Sequence, residues 1–265
     1  MVFSSLAVTH KSEEKVIIVY TIQQLREILT PLSEGAVIFI DVDDTLITPK
    51  SKVFHWESPH RFLIDDLKKN RDKISNFEEV LSHWRLQRET MLVSDEWPTF
   101  VNTLKEKCSV YALTKMETGM IGAIPSMEQW RYSELTHKGI SFTPSFKGVS
   151  KSVLRDNPPI SSSITFFHGI FITGSHTKGD VLDIFFETQT PTQVVLIDDR
   201  EEHLQDAKEA CARHGIPFLG IFFKGMDLIS GLPDPNIAIF QKEHLLTHAE
   251  WLEDEAAEIL YRERL

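Results

Sequence analysis

The chain has almost no cysteine: Cys108 and Cys211 are the only two in 265 residues. A disulfide framework is therefore not expected, since that device serves short secreted scaffolds that cannot build a sufficient core. Cys108 opens an apolar strand and Cys211 lies in a helical pattern, so both read as buried thiols. Long apolar runs are missing too. No stretch reaches 18 apolar residues, which excludes a transmembrane helix. The start, MVFSSLAVTHKSEEK, lacks a basic n-region and has a very short apolar segment, a poor signal peptide, although SSLA resembles the tail of one. The compartment, cytoplasmic or secreted and periplasmic, stays open at this level. Positive charge is in deficit: 28 Lys and Arg against 39 Asp and Glu leave a net charge of −11. That balance excludes broad binding to nucleic acid or to anionic membranes, both of which want basic surface. A small phosphorylated ligand remains compatible, because a local cation-lined site overrides the global field.

What is present is an alternation of strand and helix patterns. Val37–Ile40 is a short run of β-branched and aromatic residues, typical of a strand covered on both faces. SVYALT at 109 to 114, QVVLIDD at 193 to 199 and IPFLGIFF repeat the theme, and ITFFHGIFITG reads as two short strands about His168 and Gly169. Between them lie amphipathic segments: Thr21 to Leu32 with Thr21 as cap, Ser126 to Lys138, KGDVLDIFFE from Lys178, and REEHLQDAKEACARHG ending at Gly215. HLLTHAEWLEDEAAEILYRERL reads as one long acidic helix, a packing element or partner surface. The pattern predicts an α/β fold, a Rossmann-like parallel sheet with helices on both faces. Chemistry in such sheets collects beyond the carboxyl ends of the strands. Asp41, Thr114 and the pair Asp198 and Asp199 all fall there. At the first of these ends VIFIDVDDTLIT crowds Asp41, Asp43 and Asp44, and like charges this close repel unless a cation or donors compensate.

These signatures together resemble the haloacid dehalogenase superfamily of aspartate-nucleophile phosphotransferases. FIDVDDTLI matches its D-x-D-x-T pattern behind an apolar strand, Thr114 ends VYALT, Lys178 opens the helix of TKGDVLDIF, and VVLIDD supplies an acidic pair. Among subgroups the layout looks like an uncharacterised bacterial branch, which lends fold but no substrate. The resemblance implies Asp41 as nucleophile, forming an aspartyl-phosphate, and Asp43 as general acid and then general base. It implies Thr114 and Lys178 as phosphate-binding groups. It implies Mg2+ held by Asp41, the backbone carbonyl of Asp43, Asp198 and Asp199, with Asp199 as the direct ligand and Asp198 acting through water. Thr45 reads as a turn stabiliser and Asp44 as a solvated or supporting carboxylate. One departure stands out: four residues beyond the metal aspartate, where the family often has Asp or Asn, this chain has His203, with Glu202 beside it.

The stretch between Thr45 and Thr114 is far longer than one α/β connection needs. Residues 49–93 are therefore expected as a helical cap inserted into a core of residues 15–48 and 94–265. The cap carries His55, Trp56, His60, Arg61, His83, Trp84, Arg85 and Arg88, groups suited to a ring and an anion. The reading that follows is a Mg2+-dependent phosphomonoester hydrolase acting on a small phosphorylated metabolite, with no nucleic-acid or membrane partner. Two other readings stand beside it: a phosphoprotein phosphatase such as a phosphotyrosine phosphatase, and a catalytically silent interaction protein of the same fold.

Overall fold

The computed structural model describes residues 15–144, 146–156 and 162–264. Strand β1 (Lys15–Val19) and helix α1 (Ile22–Leu29) lead into strand β2 (Ala36–Ile40). A short pair, β3 (Ile47–Pro49) and β4 (Thr90–Leu92), brackets helices α2 (Leu63–Lys69) and α3 (Phe77–Gln87). Helix α4 (Trp97–Lys105), strand β5 (Ser109–Thr114) and helix α5 (Met127–His137) follow, then strands β6 (Lys151–Arg155), β7 (Ile164–Phe167) and β8 (Ile170–Ile172). Helix α6 (Lys178–Phe186), strand β9 (Gln193–Asp198), helix α7 (Glu201–Arg213) and strand β10 (Phe218–Phe223) complete the alternation. Helices α8 (Pro235–His248) and α9 (Asp254–Arg262) come last.

One eight-stranded sheet runs in the order β1-β10-β9-β2-β5-β8-β7-β6. Its first six strands are parallel, and β7 is antiparallel to both its neighbours. Strand β2 is central, with Ile38 opposite Val195 of β9 on one side and Val110 of β5 on the other. All five of its residues are buried, which is why its sequence is uniformly apolar rather than alternating. Successive side chains divide between two cores. Ile38 and Ile40 join α1, α4 and α5 on one face, while Val37 and Phe39 join α6 and α7 on the other. The strand order reverses at β2, and that reversal opens a crevice beyond its carboxyl end, directly where Asp41 stands.

The α/β alternation, the parallel sheet and the helices on both faces are as the pattern predicts. Other details differ. The strand β1 and the edge strand β6 go unnoticed in the sequence, the latter within a Ser-, Pro- and Gly-rich stretch. The C-terminal segment is two helices rather than one. Ala249 takes a left-handed conformation (φ 50°) that ends α8, and the chain turns so that Trp251 is buried. Trp251, Ala238 and Leu245 form one apolar cluster with Val53, Phe54, Leu63, Leu67 and Trp84. The C-terminal helices thus cover the 49–93 segment instead of packing within the sheet's own cores. That segment leaves and re-enters through the β3–β4 ladder, in which Ile47 pairs with Leu92 and Pro49 with Thr90. Neither cysteine is in a disulfide; Cys211 is buried and Cys108 half-buried. Among the described residues no helix is long and apolar enough to cross a membrane. The opening MVFSSLAVTHKSEE lies outside the described residues.

Candidate active site

Asp41 continues the line of β2 for one residue, its amide donating to the Ile197 carbonyl at 2.9 Å. A tight turn follows. The amides of Leu46 and Ile47 both donate to the Val42 carbonyl, at 2.9 and 3.1 Å, and Asp44 adopts φ 61°. The Thr48 hydroxyl donates to Asp44 Oδ1 at 2.9 Å and secures that conformation. Thr45 does not act as the turn stabiliser expected of it: its hydroxyl is buried with no hydrogen-bond partner among the described residues. The hydroxyl next to the turn that does the work is Thr48. No backbone amide among the described residues donates to the Asp43 carbonyl, which leaves it available as an oxygen ligand.

Lys178 is brought to Asp41 by the start of α6. Thr177 caps the helix by accepting from the Asp180 amide at 3.1 Å, and Asp180 returns the contact by accepting from the Thr177 amide at 2.8 Å. This capping box places Lys178 at the first helical position, fully buried. Its ammonium donates to Asp41 Oδ1 and, at 2.5 Å, to Asp198 Oδ2. Asp198 Oδ1 accepts from the Arg200 amide at 3.0 Å and lies 3.1 Å from His203 Nδ1. Burial alone would lower the Lys178 ammonium, but Asp198 and Asp41 outweigh it and hold its pKa up. Burial pushes the Asp41 carboxyl up to about 6 against the pull of Lys178. For Asp198, Lys178 and His203 together overcome burial and keep the carboxyl low. Asp199 is raised well above the usual carboxylate range by burial and by Asp41, Asp44 and Asp198. Thr114 ends β5 in the same crevice, buried, with its carbonyl accepting from the Thr173 amide at 3.1 Å.

Asp41, Asp198 and His203 present ligand atoms within 4.8 Å of one another. Lys178 already bridges the two carboxylates, however, so this triad is largely closed by the protein's own cation. Asp199 has three carboxylate neighbours, Asp41, Asp44 and Asp198, so a hard divalent ion held on that side would meet oxygen donors of the kind Mg2+ takes. His203 is buried against Asp198, whereas the Glu202 side chain is 72% exposed, so of these two residues it is the histidine that contacts the acidic pair, through Asp198.

Asp43 meets an entirely different environment. Arg131 Nη2 donates to its Oδ2 at 2.7 Å and Arg88 Nη2 lies 3.8 Å from its Oδ1. Burial would raise this carboxyl, but the two arginines overcome that and hold it at about 2. Glu134 accepts from both, at 2.7 Å from Arg131 and 3.0 Å from Arg88. Arg85 donates to Glu117 at 2.5 Å, and Lys68 stands 3.6 Å from the same carboxylate. The three guanidinium groups gather around the Trp130 ring at 4.9 to 5.8 Å, a further compensation for bringing like charges together. Arg131, Glu134 and Glu117 are absent from the sequence-level site. One signal was available for Arg131: it lies four residues after Met127 and four before Leu135, on the buried face of α5, where an arginine needs a partner.

Arg61, Trp84, Arg85 and Arg88 of the expected cap line a cavity of about 140 Å³ whose other wall includes Asp43, Asp44 and Arg131. Asp199 and Trp56 line a smaller neighbouring one of about 30 Å³. The other candidates face away. His55 Nδ1 lies 3.2 Å from the Ser230 carbonyl and His83 Nδ1 2.8 Å from that of Ala249, so both anchor C-terminal segments.

With this geometry in view, comparison with known proteins shows the family. Residues 19–258 match the model of a family described as "Protein of unknown function (DUF2608)", and the chain belongs to that family. It is 26% identical over 261 residues to an uncharacterised protein of Rickettsia prowazekii (strain Madrid E), covering 95% of this chain and 93% of that one. It is also 29% identical over 109 residues, 40% of each chain, to a Chlamydia pneumoniae protein provisionally named as an outer membrane protein. No solved structure matches at a significant level.

Proposed function

We propose that the protein is a Mg2+-dependent phosphomonoester hydrolase of the haloacid dehalogenase type, with residues 49–93 as its cap and a small phosphorylated metabolite as substrate. The observation that carries this reading is Asp41 at the carboxyl end of the central strand, at the reversal of strand order, bonded by the buried Lys178 ammonium. In the first half-reaction a carboxylate oxygen of Asp41 attacks phosphorus in line. The new P–O bond forms as the ester P–O bond breaks, and the leaving oxygen takes a proton from Asp43. In the second, Asp43 takes a proton from water as that water attacks phosphorus, and the bond to Asp41 breaks. Asp43 is ionised at rest, which suits the second half directly. The first half requires its Arg131 contact to loosen so that it can carry a proton. Lys178 and Thr114 would hold the phosphoryl oxygens. Mg2+, held by Asp41, the Asp43 carbonyl and Asp199, with Asp198 behind them, would supply charge neutralisation when bound. Asp198 has both oxygens engaged, which supports Asp199 as the direct ligand.

The phosphoprotein reading is less well supported. A cavity of about 140 Å³ walled by Arg61, Trp84 and Arg88 over the aspartates suits a compact substrate better than a macromolecular surface. The test is a phosphatase screen over small phosphorylated metabolites and phosphopeptides, with and without Mg2+. Turnover of metabolites that needs the metal and disappears in Asp41→Asn is the expected result. Absence of hydrolysis across the whole panel would sink the reading.

A further inference from the structure

We propose that the larger cavity is a second anion subsite, so that the substrate is a small phosphate monoester bearing a further carboxylate or phosphate. This rests on the phosphomonoesterase reading above and narrows it. Seven cationic side chains line the cavity against three carboxylates, in a chain whose net charge is −11. Concentrating positive charge in one crevice of an acidic protein costs repulsion, and an anionic ligand recovers it.

Partners within the protein account for most of these cations but not all. Arg131, Arg88, Arg85 and Lys68 are paired with Asp43, Glu134 and Glu117, and Arg200 with Asp65 at 3.1 Å. Arg61 and Lys115 make no ion pair among the described residues; Arg61 instead lies over the Trp56 and Phe62 rings at 4.0 and 4.5 Å. Two of the lining residues, Trp84 of α3 and Arg88 just beyond it, also hold a buried donor without a hydrogen-bond partner among the described residues, Nε1 and Nε. The Arg88 side chain is only 3% exposed. Planar guanidinium groups favour carboxylate and phosphate over a single hydroxyl.

Size limits the substrate further. A dry cavity of about 150 Å³ holds one benzene, so this one takes on the order of six non-hydrogen atoms. Asp43 and Asp44 line it together with the apolar rings of Phe54 and Trp84. The occupant beyond the phosphoryl group is therefore a two- or three-carbon stem ending in an anion, with an apolar wall for the stem and arginines for the end.

The experiment compares three esters of matched length on the full chain with Mg2+: glycerol 1-phosphate with its neutral tail, 3-phosphoglycerate with a carboxylate, and propane-1,3-diol bisphosphate. The expected result is a kcat/KM at least about tenfold higher for one or both charged esters than for the neutral one. Arg88→Gln should bring that ratio down to about one. Arg88 is buried, so Arg61→Gln, which breaks no ion pair, serves as the second variant and should lower the ratio in the same direction. Calorimetric binding of the same three esters to Asp41→Asn gives a readout independent of turnover. Hydrolysis of all three esters at equal efficiency would overturn the subsite and leave the phosphatase reading intact. Selective binding of the charged esters without hydrolysis by the unmodified chain would support the subsite and overturn the phosphatase reading. Equal or absent binding of all three would overturn the subsite.

Discussion

The floor of the site and the wall above it are made of the same materials, buried carboxylates and buried cations, in opposite proportion. At the floor Asp41 and Asp198 share the ammonium of Lys178, and Asp199 stands beside them. In the wall Arg85, Arg88 and Arg131 outnumber Glu117 and Glu134, and Arg88 and Arg131 reach down to Asp43. The consequence is visible in two aspartates two residues apart: Asp41 is pushed up to about 6 while Asp43 is held at about 2. Pairs of carboxyl groups whose surroundings separate their proton affinities are how one site divides nucleophile, acid and base roles. The floor has an excess of negative charge that a hard cation would relieve, and the wall has an excess of positive charge that an anion would relieve. On the proposed function, a metal ion and a phosphorylated, acidic ligand together would complete the charge balance of the crevice.

The comparison breaks most severely at Lys178. Lys178→Met leaves Asp41 and Asp198 buried and facing each other without their cation. The expected loss is about 3–5 kcal/mol of stability, read as a lower urea midpoint, together with loss of turnover. A stability within about 0.5 kcal/mol of the unmodified chain would show that the two carboxylates find compensation elsewhere. Asp41→Asn is milder on the fold, because the amide oxygen can still accept from Lys178. Hydrolysis of p-nitrophenyl phosphate should nevertheless fall at least about a thousandfold, on the order of 4 kcal/mol in barrier, with an unchanged circular dichroism spectrum. Undiminished hydrolysis by this variant removes Asp41 as nucleophile.

Metal addition sharpens the floor's side of the comparison. Mg2+ at a hundred times its dissociation constant should stabilise the protein by about 2.7 kcal/mol, and EDTA should reverse the shift in a melting curve. If the melting temperature is the same in both, the crowding of Asp199 is relieved by protonation instead. The smallest expected effect belongs to the wall. Glu117 is held at about 2, below its usual 4.5, because Arg85 and Lys68 outweigh the burial that would raise it. A carboxylate held low binds fewer protons folded than unfolded, so its contribution is complete above about pH 4.5 and is lost as pH falls through about 2. Glu117→Gln should therefore cost on the order of 1–2 kcal/mol at neutral pH, a gap that closes as urea titrations are carried down to pH 2. A gap that stays constant across that range would mean that Glu117 acts by packing rather than by charge.

The alternation of strands and helices is written in the residue pattern, and with it the arrival of Asp41, Thr114 and Asp198 at one edge of the sheet. Parallel strands bring their carboxyl ends to one edge of the sheet, so residues that end such strands, or open the helices that follow, converge whatever lies between them. Asp41, Thr114, Asp198 and Asp199 were legible from that local pattern, whereas Lys178 was picked out only by the resemblance to a known family. Only the tertiary structure decided which charges face each other. Arg131 sits in a helix that reads as packing; Glu134 is its neighbour three residues on along α5, but Asp43 reaches it only through the packing of α5 against the turn after β2. The C-terminal segment reads as one amphipathic helix, yet it breaks at Ala249 and drives Trp251 against Phe54, because the 49–93 segment leaves an apolar face that its own helices do not cover. Periodicity tells which face of an element is buried. It does not tell which other element buries it, and a buried charge takes its pKa from that second element.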